Sequence, residues 1–299
     1  MSLSGADSLK PTAATVGTFD GLHKGHRKVL RLLKETASRR GLLPLVVTFD
    51  RHPLETVAPL RAPGLLLNPS EKLTELRNEG FRPTIVEFTK QMAAVTAKDW
   101  MQRLRDDFGV KVMVVGYDNT FGSDGVGMSI ADYQKLGDEL GIEVLEAPVE
   151  KDVSSSAIRR LISEGRMEEA NGMLGRNFQI SGIVTHGKAL GRTLGFPTAN
   201  IVPSYRVQMP RRGVYAADAL LPDGTVGHAV VNVGTAPTLD DLSDITVEAY
   251  LLDYDGDLYD KRITLKFKKF IRDEKRFPNL DALRLQIQDD VLAVKNLLT

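Results

Sequence analysis

The chain changes its pattern at Leu174, and that change constrains the fold more than any other feature. Before it, short apolar runs rich in valine alternate with amphipathic stretches. Residues 13–16, 45–49, 84–88, 110–115 and 143–147 read as strands. Residues 27–40, 70–79, 97–108, 129–140 and 154–174 read as helical, the first of them with Val29, Leu30, Leu32 and Leu33 as apolar positions and the last punctuated by Gly165 and Gly175. Alternation at this spacing predicts βαβ units around a parallel sheet, whose strands are covered on both faces. After Leu174, residues 178–185, 214–220, 226–233, 246–252 and 263–270 read as strands with no helix between them. Turn chemistry links them, as in Pro222-Asp223-Gly224 and residues 253–257. Serial strands of this kind predict an antiparallel sheet or small barrel. A last helix follows, capped by Asn279, with Leu283, Leu285, Ile287, Val291 and Val294 as its apolar residues. The expectation is an α/β domain over residues 1–174 and a β-barrel domain with a C-terminal helix over residues 175–299.

Composition narrows the setting. Lysine plus arginine number 39 and aspartate plus glutamate also number 39. A dedicated nucleic-acid or anionic-membrane binder would carry a basic excess, so neither partner is expected. No apolar run approaches the ~20 residues that span a bilayer, and the first ten residues lack the apolar core of a signal peptide. With no cysteine in the chain, disulfides, thiolate metal sites and cysteine nucleophiles are excluded. A cytoplasmic globular protein is expected.

Chemistry concentrates in two islands. The first is Gly17 to His26, GTFDGLHKGH, at the junction of a strand and a helix. Free N–H groups and the helix dipole at such a junction favour phosphate. Gly17, Gly21 and Gly25 allow close backbone approach, and His23 and His26 add donors for anionic oxygens. An isolated histidine pair beside a glycine would be a surface turn; the full string is far more specific.

This string resembles the signature of the nucleotidyltransferase superfamily, which implies a Rossmann-like fold and transfer of a nucleotidyl group from a nucleoside triphosphate with release of pyrophosphate. By the resemblance, Gly17, Phe19, Asp20 and Gly25 belong to the ATP phosphate site, and His23 and His26 stabilise charge at the α-phosphorus. Three later stretches are similar to the flavin-adenylylating branch of that superfamily. Phe49-Asp50-Arg51-His52-Pro53 and the loop at residues 115–122 imply flavin contacts through His52, Pro53 and Asp118. Residues 154–159, SSSAIR, imply phosphate binding by Ser155 and Ser156 and a catalytic role for Arg159. Taken alone, the serine run is a helix cap. Asn119, Ser156 and Ala157 depart from the residues common in that branch.

The second island is residues 187–200, GKALGRTLGFPTAN. Its glycines suit a flexible loop over a ligand. Thr198 and Asn200 alternate along an extended segment and share a face. They suit either a divalent cation held mostly by nucleotide phosphates or the polar face of a plain hairpin. This island resembles the riboflavin kinase family. Similar stretches follow in order: residues 212–215, the Asn232 to Thr238 turn, residues 247–253 around Glu248, residues 257–259 and residues 272–277. The resemblance implies an ATP site with Gly187, Gly191, Thr193, Gly195 and Pro197, a Mg²⁺ site with Thr198 and Asn200, and Glu248 as general base. It also implies flavin contacts by Arg272, Glu274 and Phe277, a stretch that on composition alone is a solvated charge run. Strand alternation sets Glu248 opposite in facing to Val247 and Ala249, without saying which face lines a site.

The two resemblances together cover residues 12–298 and imply a bifunctional pathway enzyme. Riboflavin would be phosphorylated to FMN, and FMN adenylylated to FAD, with ATP as co-substrate, ADP and pyrophosphate as products, and Mg²⁺ in both steps. Self-association, if any, is expected to be weak. Two alternatives stay open: a riboflavin kinase whose first domain is impaired, for which Asn119 and Ala157 speak, and a non-enzymatic flavin-binding regulator.

Overall fold

The computed structural model describes residues 10–117, 120–187, 190–235 and 245–298, with Leu190 described by its backbone alone. Asp118 and Asn119, Lys188 and Ala189, and the second half of the Asn232 to Thr238 turn lie outside the described residues. Tertiary contacts gather the chain into two compact units, residues 1–63 with 69–153 and residues 64–68 with 154–299.

The first unit is built on a parallel sheet of β1 (Thr12–Val16), β2 (Leu43–Phe49), β3 (Arg82–Val86), β4 (Val110–Val115) and β5 (Glu143–Glu146), in the order β3-β2-β1-β4-β5. Its helices are α1 (Lys24–Arg40), α2 (Pro53–Val57), α3 (Pro69–Asn78), α4 (Lys90–Ala93), α5 (Ala97–Phe108) and α6 (Ile130–Leu140). Leu45, Val47, Met113 and Val115 of the sheet pack with Trp100, Met101 and Leu104 of α5 and Tyr133 of α6. Each large side chain buried there contributes about 1.5–3 kcal/mol. The strand order reverses beside β1, so the mouth of the sheet opens at the C-terminal end of that strand. That is where ligands of open α/β sheets bind, and it is where Gly17 begins.

The second unit opens with α7 (Ser155–Glu164) and α8 (Met167–Leu174). Then come β6 (Phe178–Thr185), α9 (Leu190–Thr193), β7 (Ala199–Pro203), β8 (Gly213–Leu220), β9 (Val226–Thr235), β10 (Ile245–Leu251) and β11 (Arg262–Arg272), and finally α10 (Leu280–Leu298). The six strands close into an antiparallel barrel, β10-β7-β6-β11-β8-β9. Phe178, Ile180, Tyr215, Val231, Val233, Val247, Leu265 and Phe267 are buried in it. Closure removes the exposed edges of a flat sheet.

The structure corrects several expectations. Residues 154–174 form two helices, because Gly165 takes φ 78° and ends the first. By their tertiary contacts both helices group with the barrel. The reason is local: Asn171 Nδ2 donates to Phe267 O at 2.8 Å, its Oδ1 accepts from Phe178 N at 2.7 Å, and Arg211 N donates to Ile162 O at 3.1 Å. Strand β3 sits two residues earlier than expected, β7 is a full strand, and α2 and α4 are additional helices. Leu285, expected on the apolar face of the last helix, is exposed, whereas Val294 is buried. The cap of that helix is as expected, with Asn279 Oδ1 accepting from Ala282 N at 2.8 Å.

Candidate functional site

The first unit presents the Gly17–His26 turn. Gly17 N continues the β1 ladder by donating to Val47 O at 3.0 Å. The chain then turns through left-handed conformations at Phe19 (φ 47°), Gly21 (φ 84°) and Leu22 (φ 45°). For the two non-glycine residues this costs on the order of 1–3 kcal/mol each. Burial of both side chains offsets that strain, since Phe19 is 3% exposed and Leu22 is 0% exposed. His23 caps α1: its Nδ1 accepts from His26 N at 3.3 Å. That bond fixes the ring and leaves Nε2 to carry the proton of the neutral form. The two imidazoles stack at 3.6 Å between centroids, and Phe19 meets His26 edge-on at 5.2 Å.

Burial first, then the charges of His23, Lys72 and Arg27, hold His26 well below the ordinary histidine range. At neutral pH it is an uncharged donor, and its Nδ1 is buried with no protein partner among the described residues. A Cβ on Gly25 would press on the His23 ring at 3.2 Å, so the small residue keeps the stacked pair in place. Asp20 is buried beside them. Thus Gly17, Phe19, Asp20, His23, Gly25 and His26 lie together in one turn.

The other expected residues of this chemistry lie on other elements. His52 and Pro53 begin α2, where His52 Nδ1 accepts from Leu54 N at 3.2 Å and Glu55 reaches back to His52 N at 3.1 Å. His52 and Glu55 form a capping box, and the flavin contact of His52 and Pro53 is an expectation from resemblance alone. Ser155, Ser156 and Arg159 lie on α7 of the second unit. Ser154, the actual cap, accepts from Ala157 N at 3.1 Å, and Arg159 Nε donates to Gly64 O at 2.9 Å.

In the barrel, register assembles the site. Glu248 on β10 lies directly opposite Asn200 on β7 and Asn232 on β9. Directly paired residues share a face, so the three polar side chains form one row. Val247 and Ala249, on the opposite face, are buried inside the barrel. Glu248 therefore lies on the outer face, which resolves the question the alternation left open. Thr198 Oγ1 points at Glu248 Oε2 across 3.5 Å. Asn232 was quoted in a motif but given no role in the sequence reading; pairing β9 with β10 is the signal that would have found it.

Two cavities flank this row, and Thr198 lines both. One, of about 350 Å³, has apolar and aromatic walls that include Val230, Tyr250 and Phe277, with Glu248, Asn232 and Glu274 among its polar groups. The other, of about 490 Å³, is more polar and is lined by Arg192, Pro197, Tyr254, Asp257 and Tyr259. Tyr259 stacks on His186 at 3.8 Å. The glycines between leave little room: a Cβ on Gly191 would lie 2.4 Å from the backbone Phe196 O, and one on Gly187 would lie 2.0 Å from Asn200 Nδ2 and displace that side chain. Gly195 closes the turn at φ 87°, with Thr193 exposed beside it. Arg272, expected at the flavin, lines the first cavity but grips Asp290 of α10 with both arms, at 2.8 and 2.7 Å. It is an anchor for the helix that walls the cavity.

Among the described residues no cluster of three or more histidine, aspartate or glutamate side chains could hold a metal. Thr198 and Asn200 offer neutral oxygens, a donor set that fits a hard divalent cation whose charge is met by nucleotide phosphates. No helix among the described residues is long and apolar enough to cross a membrane.

Comparison with known proteins agrees with both halves. A family model described as FAD synthetase matches residues 6–158, and one described as riboflavin kinase matches residues 174–298. The bifunctional riboflavin kinase/FMN adenylyltransferase of Escherichia coli strain K12 is 38% identical over 94% of this chain and 91% of its own. That of Pseudomonas fluorescens is 36% identical over 98% and 96%. A Streptococcus pneumoniae crystal structure, described as a macrolide-efflux protein, superposes with a TM-score of 0.86 at 32% identity over 96% of this chain and 94% of that one. Relatives that carry both names in one polypeptide span both units described above, and the chain belongs to the bifunctional riboflavin kinase/FMN adenylyltransferase family.

Proposed function

We propose that the barrel phosphorylates riboflavin and that the parallel-sheet unit joins the resulting FMN to AMP, giving FAD and pyrophosphate. The observation that carries this reading is Thr198, shared by two cavities with Glu248 beside it. One cavity suits a planar heterocycle with a hydroxylated tail and the other a nucleotide, so the row between them is where a phosphoryl group would pass. Glu248 takes the proton of the riboflavin 5′-hydroxyl as that oxygen attacks the γ-phosphorus, and ADP leaves. Thr198 and Asn200 would hold a divalent cation, which we assign as Mg²⁺, and it would neutralise charge on the phosphates. Asn232, on the other side of Glu248, orients the carboxylate or the attacking hydroxyl.

In the sheet unit the FMN phosphate attacks the α-phosphorus and pyrophosphate leaves. The nucleophile is already ionised near neutral pH, so no strong base is needed. Positioning and donation carry the step: the glycine turn cradles the phosphates, and His23 and His26 donate to oxygens that gain charge. The roles of His52, Pro53, Asp118, Ser155, Ser156 and Arg159 rest on the resemblance. A cytoplasmic location fits both the substrates and the absence of cysteine.

Purified protein incubated with riboflavin, ATP and Mg²⁺ should yield FAD, resolved from FMN by chromatography. FMN alone would leave a riboflavin kinase with an impaired partner unit. Neither product would leave a flavin-binding protein.

A further inference from the structure

Lys72 is an interior lysine in the sheet unit that no motif singled out. It lies on α3 and is 7% exposed. Its Nζ donates to Thr18 O at 2.8 Å and to Thr48 Oγ1 at 2.8 Å, and Thr48 Oγ1 also donates to Thr18 O at 3.1 Å. A carbonyl in the signature turn is thus held by two donors from neighbouring elements. Asp20, in the same turn, favours the charged ammonium, while burial lowers it to about 8.

The peptide plane makes this contact consequential. C=O and N–H of one trans peptide point in opposite directions. With Thr18 O held toward Lys72, the N–H of Phe19 points away from it, and Phe19 N takes no protein partner among the described residues. The other end of the turn is tied to the same helix through Arg27 of α1. Arg27 Nε donates to Leu22 O at 3.2 Å, and the Arg27 guanidinium pairs with Glu75 and Glu79, of α3 and just beyond it. Between these two holds lie the left-handed residues Phe19, Gly21 and Leu22.

We propose that Lys72 is a positioning residue of adenylyl transfer, holding the Thr18–Phe19 peptide so that its N–H and the histidines that follow face the nucleotide phosphates. The inference rests on the reading of the sheet unit as an adenylyltransferase. Lys72 acts through the turn: removing its donor leaves the Thr18 carbonyl free to rotate, and the N–H across the same peptide leaves the site with it.

The test uses the full-length chain with FMN, ATP and Mg²⁺. Lys72→Met keeps the aliphatic stem and deletes the donor. It should lower kcat for FAD formation by about 100-fold, the scale of a misplaced catalytic group, with KM for FMN changed less than threefold and FMN formation by the barrel intact. Because the chain has no cysteine, Lys72→Cys can be alkylated under denaturing conditions with 2-bromoethylamine and refolded. The restored ammonium should recover at least a third of the wild-type kcat. Wild-type kcat in Lys72→Met, a loss confined to KM, or a loss that the aminoethyl group does not repair would each overturn the proposal. Should Lys72→Met not fold, Thr48→Val decides: a several-fold loss in kcat with an unchanged unfolding midpoint supports it, and an unchanged kcat overturns it. Failure of the wild-type chain to make FAD from FMN is a separate result, which removes the adenylyltransferase reading itself.

Discussion

The two units build their sites in opposite ways. In the sheet unit the proposed phosphate site is one continuous turn, Gly17 to His26, bent through residues with positive φ and pinned by buried Phe19 and Leu22. In the barrel the site exists only through register, with Asn200, Glu248 and Asn232 brought into a row by two antiparallel pairings. The first depends on local strain being held and the second on strands not slipping. A one-residue slip would turn the whole row to the other face. Substitutions should therefore act on one chemistry and leave the other.

The sharpest separation is expected at Glu248. Glu248→Gln, which keeps shape but cannot accept the proton, should lower FMN formation by about 10³-fold, measured as initial ADP release with riboflavin, while FAD formation from supplied FMN continues. His26→Ala should lower FAD formation by about 100-fold or more and leave FMN formation at its wild-type rate. Loss of both products in a folded His26→Ala protein would erase the distinction between the units.

A structural break should also stay local. Arg272 and Asp290 form a shielded ion pair, their side chains 16% and 4% exposed. Leaving Arg272 uncompensated by Asp290→Ala should cost the barrel about 3 kcal/mol of stability, read by denaturant unfolding, with adenylylation of FMN unaffected. Asn232→Ala should cost the kinase about tenfold, the worth of one hydrogen bond to a charged group, with no effect on the sheet unit. The smallest effect is a pH dependence. His26 titrates lower in the folded chain than in the unfolded one. Below about pH 6.5 the unfolded state binds more protons, so the sheet unit should lose stability as pH falls from there toward the folded value. His26→Gln should flatten that slope in thermal unfolding between pH 5 and 7; an unchanged slope would assign the acid sensitivity to other groups.

The same contrast explains what was legible in the sequence. The strand–helix alternation and the later run of strands predicted both architectures, because apolar periodicity reports burial directly. The GTFDGLHKGH turn was legible because its residues are neighbours in the chain. Strand β7 was seen only as an extended segment: Ala199–Pro203 is short, ends in proline, and follows a glycine-rich turn. Gly165 was visible as a break, but its left-handed φ was needed to show two helices. Asn232 became a candidate site residue only once β9 was paired with β10. Lys72 read as one more charge on an amphipathic helix, since nothing in PSEKLTELRN says that this lysine faces inward. Arg272 was expected at the flavin, but its commitment to Asp290 depends on where α10 crosses the barrel.

The central claim is that two complete and independent sites share this chain. Mixing two defective proteins tests it most directly: His26→Ala, which should stop at FMN, and Glu248→Ala, which should need FMN to begin. Each alone, given riboflavin, ATP and Mg²⁺, should make at most a trace of FAD, and the mixture should make far more as FMN released by one is taken up by the other. A mixture of the two folded proteins that accumulates FMN without FAD, or forms no FMN at all, would contradict the account.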